Sequence, residues 1–168
     1  MTTTGALPHE IRGVMLPVTG GRVLVPNTTM AEVITYAHPA VVKGAPPWLL
    51  GRIAWRGWGL PVVAFSALAG IADEESDDNA RVAILKALGG HARLPYFGVL
   101  TQGFPRLTLV SEDMLLPDPR AAELPLGVRE QVLVHDQPAW IPDLATLEDL
   151  MRECAYEDGW VGVVGVML

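Results

Sequence analysis

Four histidines, one cysteine and two runs of carboxylates are the raw material for any catalytic or metal site in this chain. His9, His38, His91 and His135 lie far apart, and no two stand at the spacing by which one helix face presents ligands to an ion. Cys154 has no second cysteine with which to form a Cys-x-x-Cys pair. It falls on the apolar stripe of a helical pattern, where a small core residue is expected rather than a nucleophile. The carboxylates of residues 73–78 have no apolar surroundings to raise a pKa, and those of 148–158 read as the wet face of a helix. His135-Asp136 could be half of a catalytic triad, but Asp close to Pro138 reads as a turn. The glycine motifs that cradle phosphates and the G-x-S-x-G nucleophile elbow are absent. No catalytic residue, metal ligand or cofactor is expected.

What remains is surface chemistry, concentrated in residues 51–64, GRIAWRGWGLPVVA. Arg56 sits there among apolar residues and glycines, with Trp55 and Trp58 close by. A buried guanidinium is costly unless paired. Arg56 is therefore paired inside its own domain, solvated on a hairpin, or turned outward as a charged anchor among aromatics. The third reading describes a protein interface, where Trp and Arg are enriched. With a turn made by Gly57 and Gly59, strand alternation puts Ile53 and Trp55 on one face and Ala54 and Arg56 on the other. If the first face meets the core, Arg56 points out and needs no internal partner.

The elements that must position these residues follow from composition and punctuation. Half of the 168 residues are hydrophobic and 18% are charged, which describes a folded chain. A net charge of −7 without a basic stripe argues against nucleic acid as a partner. The N-terminus has no secretory pattern, and no apolar run approaches the roughly 20 residues that span a bilayer. With a single cysteine, a cytoplasmic protein without membrane insertion is expected.

Seventeen glycines and fourteen prolines break the chain into many short apolar runs, the signature of an all-β fold of small barrels or sandwiches. Strands are expected at 14–18, 22–25, 30–36, 52–56, 59–65, 81–88, 94–100, 106–110 and 131–135. Residues 71–80 carry five acidic side chains and read as an exposed connection. LPVTGGRVLVP (16–26) and LKALGGHARLP (85–95) share Leu, Gly-Gly and Pro at equal offsets, which suggests two related halves joined in the seventies. A helix is expected from Leu144 to Cys154, capped by Asp143, with Glu148, Asp149, Arg152 and Glu153 on its polar face. The tail 160–168, WVGVVGVML, suits a buried added strand or a partner contact.

The stretch 46–70, PPWLLGRIAWRGWGLPVVAFSALAG, resembles the signature of the CheW-like family of bacterial chemotaxis coupling proteins. Pro47, Trp48, Gly51, Arg56-Gly57 and Pro61-Val62-Val63 carry the resemblance. Upstream, Met30, Glu32 and Val33 match the family's Val-x-Glu-Ile segment. The resemblance implies two intertwined five-stranded SH3-like barrel subdomains packed together, with a C-terminal helix and no enzymatic activity. It implies two partners, a CheA-type histidine kinase and a methyl-accepting chemoreceptor, the latter near the Arg-Gly turn. The partner-binding residues so implied are Met30, Glu32, Val33, Gly51, Trp55, Arg56, Gly57 and Trp58.

The chain departs from the pattern in three places. Ala54-Trp55 replace the usual Asn-bearing pair, Ala64 replaces an Asp, and Leu100-Thr101-Gln102-Gly103-Phe104 stand where Val-Asp-x-Val is usual. It is thus similar to divergent accessory members such as the ChpC type of twitching-motility chemosensory systems. The expected boundaries are a CheW-like domain at 12–151, its subdomains dividing near 71–80, and an extension at 152–168. Two other classes compete: a ligand-binding β-barrel with Trp48, Trp55 and Trp58 lining a pocket, and a small hydrolase with an unrecognised site.

Overall fold

Short apolar runs ended by glycine or proline cannot complete helices, and they pair as strands. The computed structural model describes residues 10–90, 94–111, 115–118, 123–158 and 162–163, with backbone only for 155–158 and 162–163. Its strands are β1 (Glu10–Val18), β2 (Gly21–Pro26), β3 (Met30–Thr35), β4 (Leu49–Trp55), β5 (Trp58–Val63) and β6 (Arg81–Lys86). They continue as β7 (Tyr96–Thr101), β8 (Arg106–Ser111), β9 (Leu115–Pro117), β10 (Val128–Val134), β11 (Gln137–Pro142) and β12 (Gly162–Val163). A helical turn α1 (Phe65–Leu68) and a helix α2 (Leu144–Asp158) complete the described elements.

The strands form two sheets, ordered β8-β1-β2-β11-β10-β9 and β12-β5-β7-β6-β3, with β4 added to β5. These are two SH3-like β-barrel subdomains, as expected, but each sheet counts six strands among the described residues where five were expected. Leu24, Val110, Val132, Val134 and Ala139 fill the first barrel, and Trp55, Leu60, Val62, Val82 and Ile84 fill the second. A larger core joins them. Val14, Leu16 and Val18 of β1 meet Val63, Leu85, Phe97 and Val99 of the second sheet, with Leu147 and Met151 of α2. β1 shows the logic: alternate residues face the joint core while Met15, between them, faces the first barrel. Strands buried on both faces explain why half of the sequence is hydrophobic.

The acidic segment does not divide the subdomains. The first sheet draws β1 and β2 from before it and β8 to β11 from after it. The second sheet likewise spans it, with β3, β4 and β5 before and β6 and β7 after. The subdomains are interlaced along the chain, so a linear split near 71–80 is incorrect. Nor do the two Gly-Gly segments share a structure. Gly21 opens β2 after a tight turn at Thr19-Gly20, whereas Gly89-Gly90 come after the end of β6 at Lys86, outside any strand. Residues 73–79 are exposed except Glu74. Its carboxylate accepts from the Thr19 N–H at 3.2 Å, the Thr19 hydroxyl at 3.0 Å and the Gln102 amide at 2.7 Å.

Helix α2 begins as expected, with the Thr146 N–H donating to the Asp143 carboxylate at 3.2 Å. One assignment on it is reversed. Glu148 is 4% exposed, not on a wet face, and accepts the Leu88 and Gly89 N–H groups at 3.1 and 2.8 Å. A carboxylate takes a core position here because Leu88 and Gly89, beyond the end of β6, bring backbone donors to it. Cys154 packs beside Val42, Leu49 and Trp48. Of the tail, Gly162 and Val163 pair antiparallel with Gly59 and Trp58, and 164–168 lie outside the described residues. His9 and His91 also lie outside them.

Candidate functional site

The hairpin of β4 and β5 turns at two residues, Arg56 and Gly57, because Trp55 pairs with Trp58 and Ala54 with Gly59. Both turn residues have positive φ, 48° and 82°, the pattern of a type I′ loop that suits the right-handed twist of the strands. Gly59 is therefore a strand residue, and Arg56 is not the end of β4. Its exposure comes from its place at the tip, not from strand alternation.

Arg56 also has an internal partner. Its Nη2 donates to Glu32 Oε1 at 2.7 Å, with the two side chains 67% and 36% exposed. Glu32 uses its other oxygen, Oε2, to accept the Trp55 indole N–H at 3.1 Å. The Arg56 guanidinium lies 4.7 Å over the Trp55 ring, and Trp55 in turn meets Tyr96 edge-on at 4.8 Å. One carboxylate thus fixes both an indole and a guanidinium, and the indole supports the cation from beneath. The result is a held positive charge on an exposed loop.

β3 supplies Glu32. It lies beside β6, with Glu32 opposite Ile84, and the register shifts between Met30 and Glu32. A bulge of this kind re-aims side chains. Val33, half-buried, is opposite Ala83. Met30 packs on the joint core instead of joining the arginine. Trp55 is 6% exposed and part of the second barrel's core, so it offers a partner little area; Trp58, half-buried across the hairpin, offers more. Gly51 serves the backbone. Its φ is 140°, and a Cβ there would lie 2.3 Å from the Ala40 carbonyl oxygen. Ala40 and Arg52 exchange two backbone hydrogen bonds beside it, of 2.9 and 3.0 Å.

The tryptophans do not line one pocket. Trp48 packs by the joint core and Val42, while Trp55 and Trp58 belong to the second barrel. Two cavities of about 460 and 630 Å3 are lined by other residues. His135-Asp136 form another two-residue turn with positive φ, 49° and 67°, and His135 Nε2 lies 3.3 Å from the Leu109 carbonyl oxygen. Leu107 and Leu109, which no sequence motif marks, are 73% and 56% exposed, and Phe104 nearby is 64% exposed. Their alternation from 107 to 109 was visible, but not that β8 would end a sheet.

The model of the CheW-like domain family matches residues 12–149. The crystal structure of the scaffolding protein TtCheW from Thermoanaerobacter tengcongensis is similar over 86% of this chain and 91% of its own, with 17% identity and a TM-score of 0.68. No curated protein matches the chain. Among the described residues no helix is long and apolar enough to cross a membrane.

Proposed function

This chain belongs to the CheW-like domain family, and from that premise we propose that it is a non-enzymatic adaptor of chemotaxis-type signalling. It couples methyl-accepting receptors to a CheA-type histidine kinase in the cytoplasm, as an accessory member of a twitching-motility system. The observation that carries this reading is the arginine at the hairpin tip. Asn, Asp and Gly are the residues a type I′ turn prefers, so local folding does not ask for arginine. Arg56 occupies a left-handed position and is oriented by Glu32 and Trp55. A strained position whose side chain is held outward supports a recognition role.

Arg56 and Trp58, with Gly57 between them, make the contact. Glu32 and Trp55 position the guanidinium, and Met30, Val33 and Gly51 shape the strands beneath. Binding of the purified full chain to a CheA-type kinase regulatory region and to a receptor cytoplasmic hairpin tests this. Arg56→Ala is expected to weaken one of the two by about thirtyfold, as loss of an interface hot spot does. Arg56→Lys recovers only part, because lysine lacks the planar fork. A wild-type chain that binds neither partner refutes the adaptor reading.

A further inference from the structure

β8 is the end strand of the first sheet, paired among the described residues only along β1. Natural sheet edges are usually covered or broken by charge, because their unpaired backbone groups invite another strand. Among the described residues this edge carries Pro105 and Arg106 at its start, and His135 meets it at Leu109. In an antiparallel pair, residues alternate between bonding the neighbour and turning their N–H and C=O away. The Leu109 carbonyl faces away from β1, since it meets His135 at 3.3 Å. By the same alternation Leu107 also faces away, opposite Val14. The Leu109 N–H and both backbone groups of Leu107 thus turn to the outer edge, where no strand pairs with them among the described residues.

The two faces along that edge differ in chemistry. Leu107 and Leu109 expose apolar side chains on one, 73% and 56% exposed. On the other, Arg106 and Thr108 border a groove of about 630 Å3 that Arg22 and His135 also line, together with Phe104 and Leu107. No carboxylate is among the described residues lining this groove, although the chain as a whole carries −7. Glu74 lies behind Gln102, engaged with it and with Thr19. Arg22 bonds to Gln137, while Arg106 is exposed.

We propose that β8 docks an extended segment of a partner protein by strand addition, and that this segment alternates apolar and carboxylate side chains. Its apolar side chains meet Leu107 and Leu109, and its carboxylates meet Arg106, Arg22 and His135. Side chains of a strand alternate between faces, so one alternating segment satisfies both. This surface is separate from the Arg56 hairpin, on the other sheet.

The test uses the full chain and two labelled synthetic peptides, alternating glutamate-valine and alternating lysine-valine, followed by fluorescence anisotropy. The glutamate peptide is expected to bind at least about tenfold tighter, and the difference to shrink with salt. Arg106→Glu is expected to remove that preference. Amide exchange at Leu107 and Leu109 is expected to slow on binding. Equal binding of the two peptides overturns the proposal, as does unchanged exchange at both amides under saturating glutamate peptide. Sedimentation that shows a dimer, lost on Leu109→Pro and unaffected by the glutamate peptide, overturns it in favour of a second copy on this edge.

Discussion

Replacing Arg56 by alanine and by glycine is expected to invert the usual order of these two residues. At a strand position glycine is less stable than alanine by roughly 0.5–1 kcal/mol, for reasons of chain entropy. Arg56 has φ of 48°. A residue with a Cβ costs about 1–2 kcal/mol in that left-handed region, and glycine escapes the cost. Both variants lose the same contacts. The ion pair to Glu32 is exposed and contributes about 0–1 kcal/mol, and the contact with the Trp55 ring about 0.5–1 kcal/mol. Alanine is therefore expected to lose about 1 kcal/mol. Glycine is expected to be more stable than alanine by about 0.5–1 kcal/mol, leaving it close to the native chain. Equilibrium urea unfolding, followed by far-ultraviolet circular dichroism and by tryptophan fluorescence, reads the difference as a midpoint shift of about 0.3 M. Partner binding is expected to fall equally in the two variants, which separates recognition from folding. Alanine as stable as glycine would refute the strained-turn account. A loss above about 3 kcal/mol in both would refute the view that the arginine is an exposed residue with replaceable contacts.

Glu32→Ala leaves the indole N–H of buried Trp55 without its acceptor and is expected to cost about 1–3 kcal/mol, more than Arg56→Ala, in the same urea experiment. Glu148→Ala uncaps the Leu88 and Gly89 N–H groups; about 2 kcal/mol of stability is expected to go, with Glu148→Gln retaining part through its carbonyl. Within the acidic loop, Glu74→Ala is expected to lower stability by about 1–2 kcal/mol, while Asp78→Ala stays within about 0.5 kcal/mol; equal effects would remove the anchoring role of Glu74. Gly51→Ala drives a Cβ to 2.3 Å from the Ala40 carbonyl oxygen, and thermal unfolding is expected to show a loss above about 2 kcal/mol.

The sequence by itself determined the kind of element and the lack of a catalytic motif. Short apolar runs between glycines and prolines read as strands, because punctuation is local backbone chemistry, although the run after Pro61 leaves its strand at Val63 and turns into α1. The helix from Leu144 and its Asp143 cap follow from periodicity and one hydrogen bond, both local. A hairpin near Gly57 is legible in the sequence, but the reading puts Gly59 in the turn and Arg56 at the end of the strand, whereas the turn is Arg56-Gly57. That depends on the cross-strand register, fixed when Trp55 pairs with Trp58. Tertiary structure alone decided the rest. Glu32 reaches Arg56 across 24 residues, and Glu148 reaches Gly89 across 59, so no spacing could announce either pair. The interlacing of the two sheets was hidden for the same reason. Which strands pair is settled by burial of both faces of β1 against different cores, and a chain read in order assigns each run only to its neighbours.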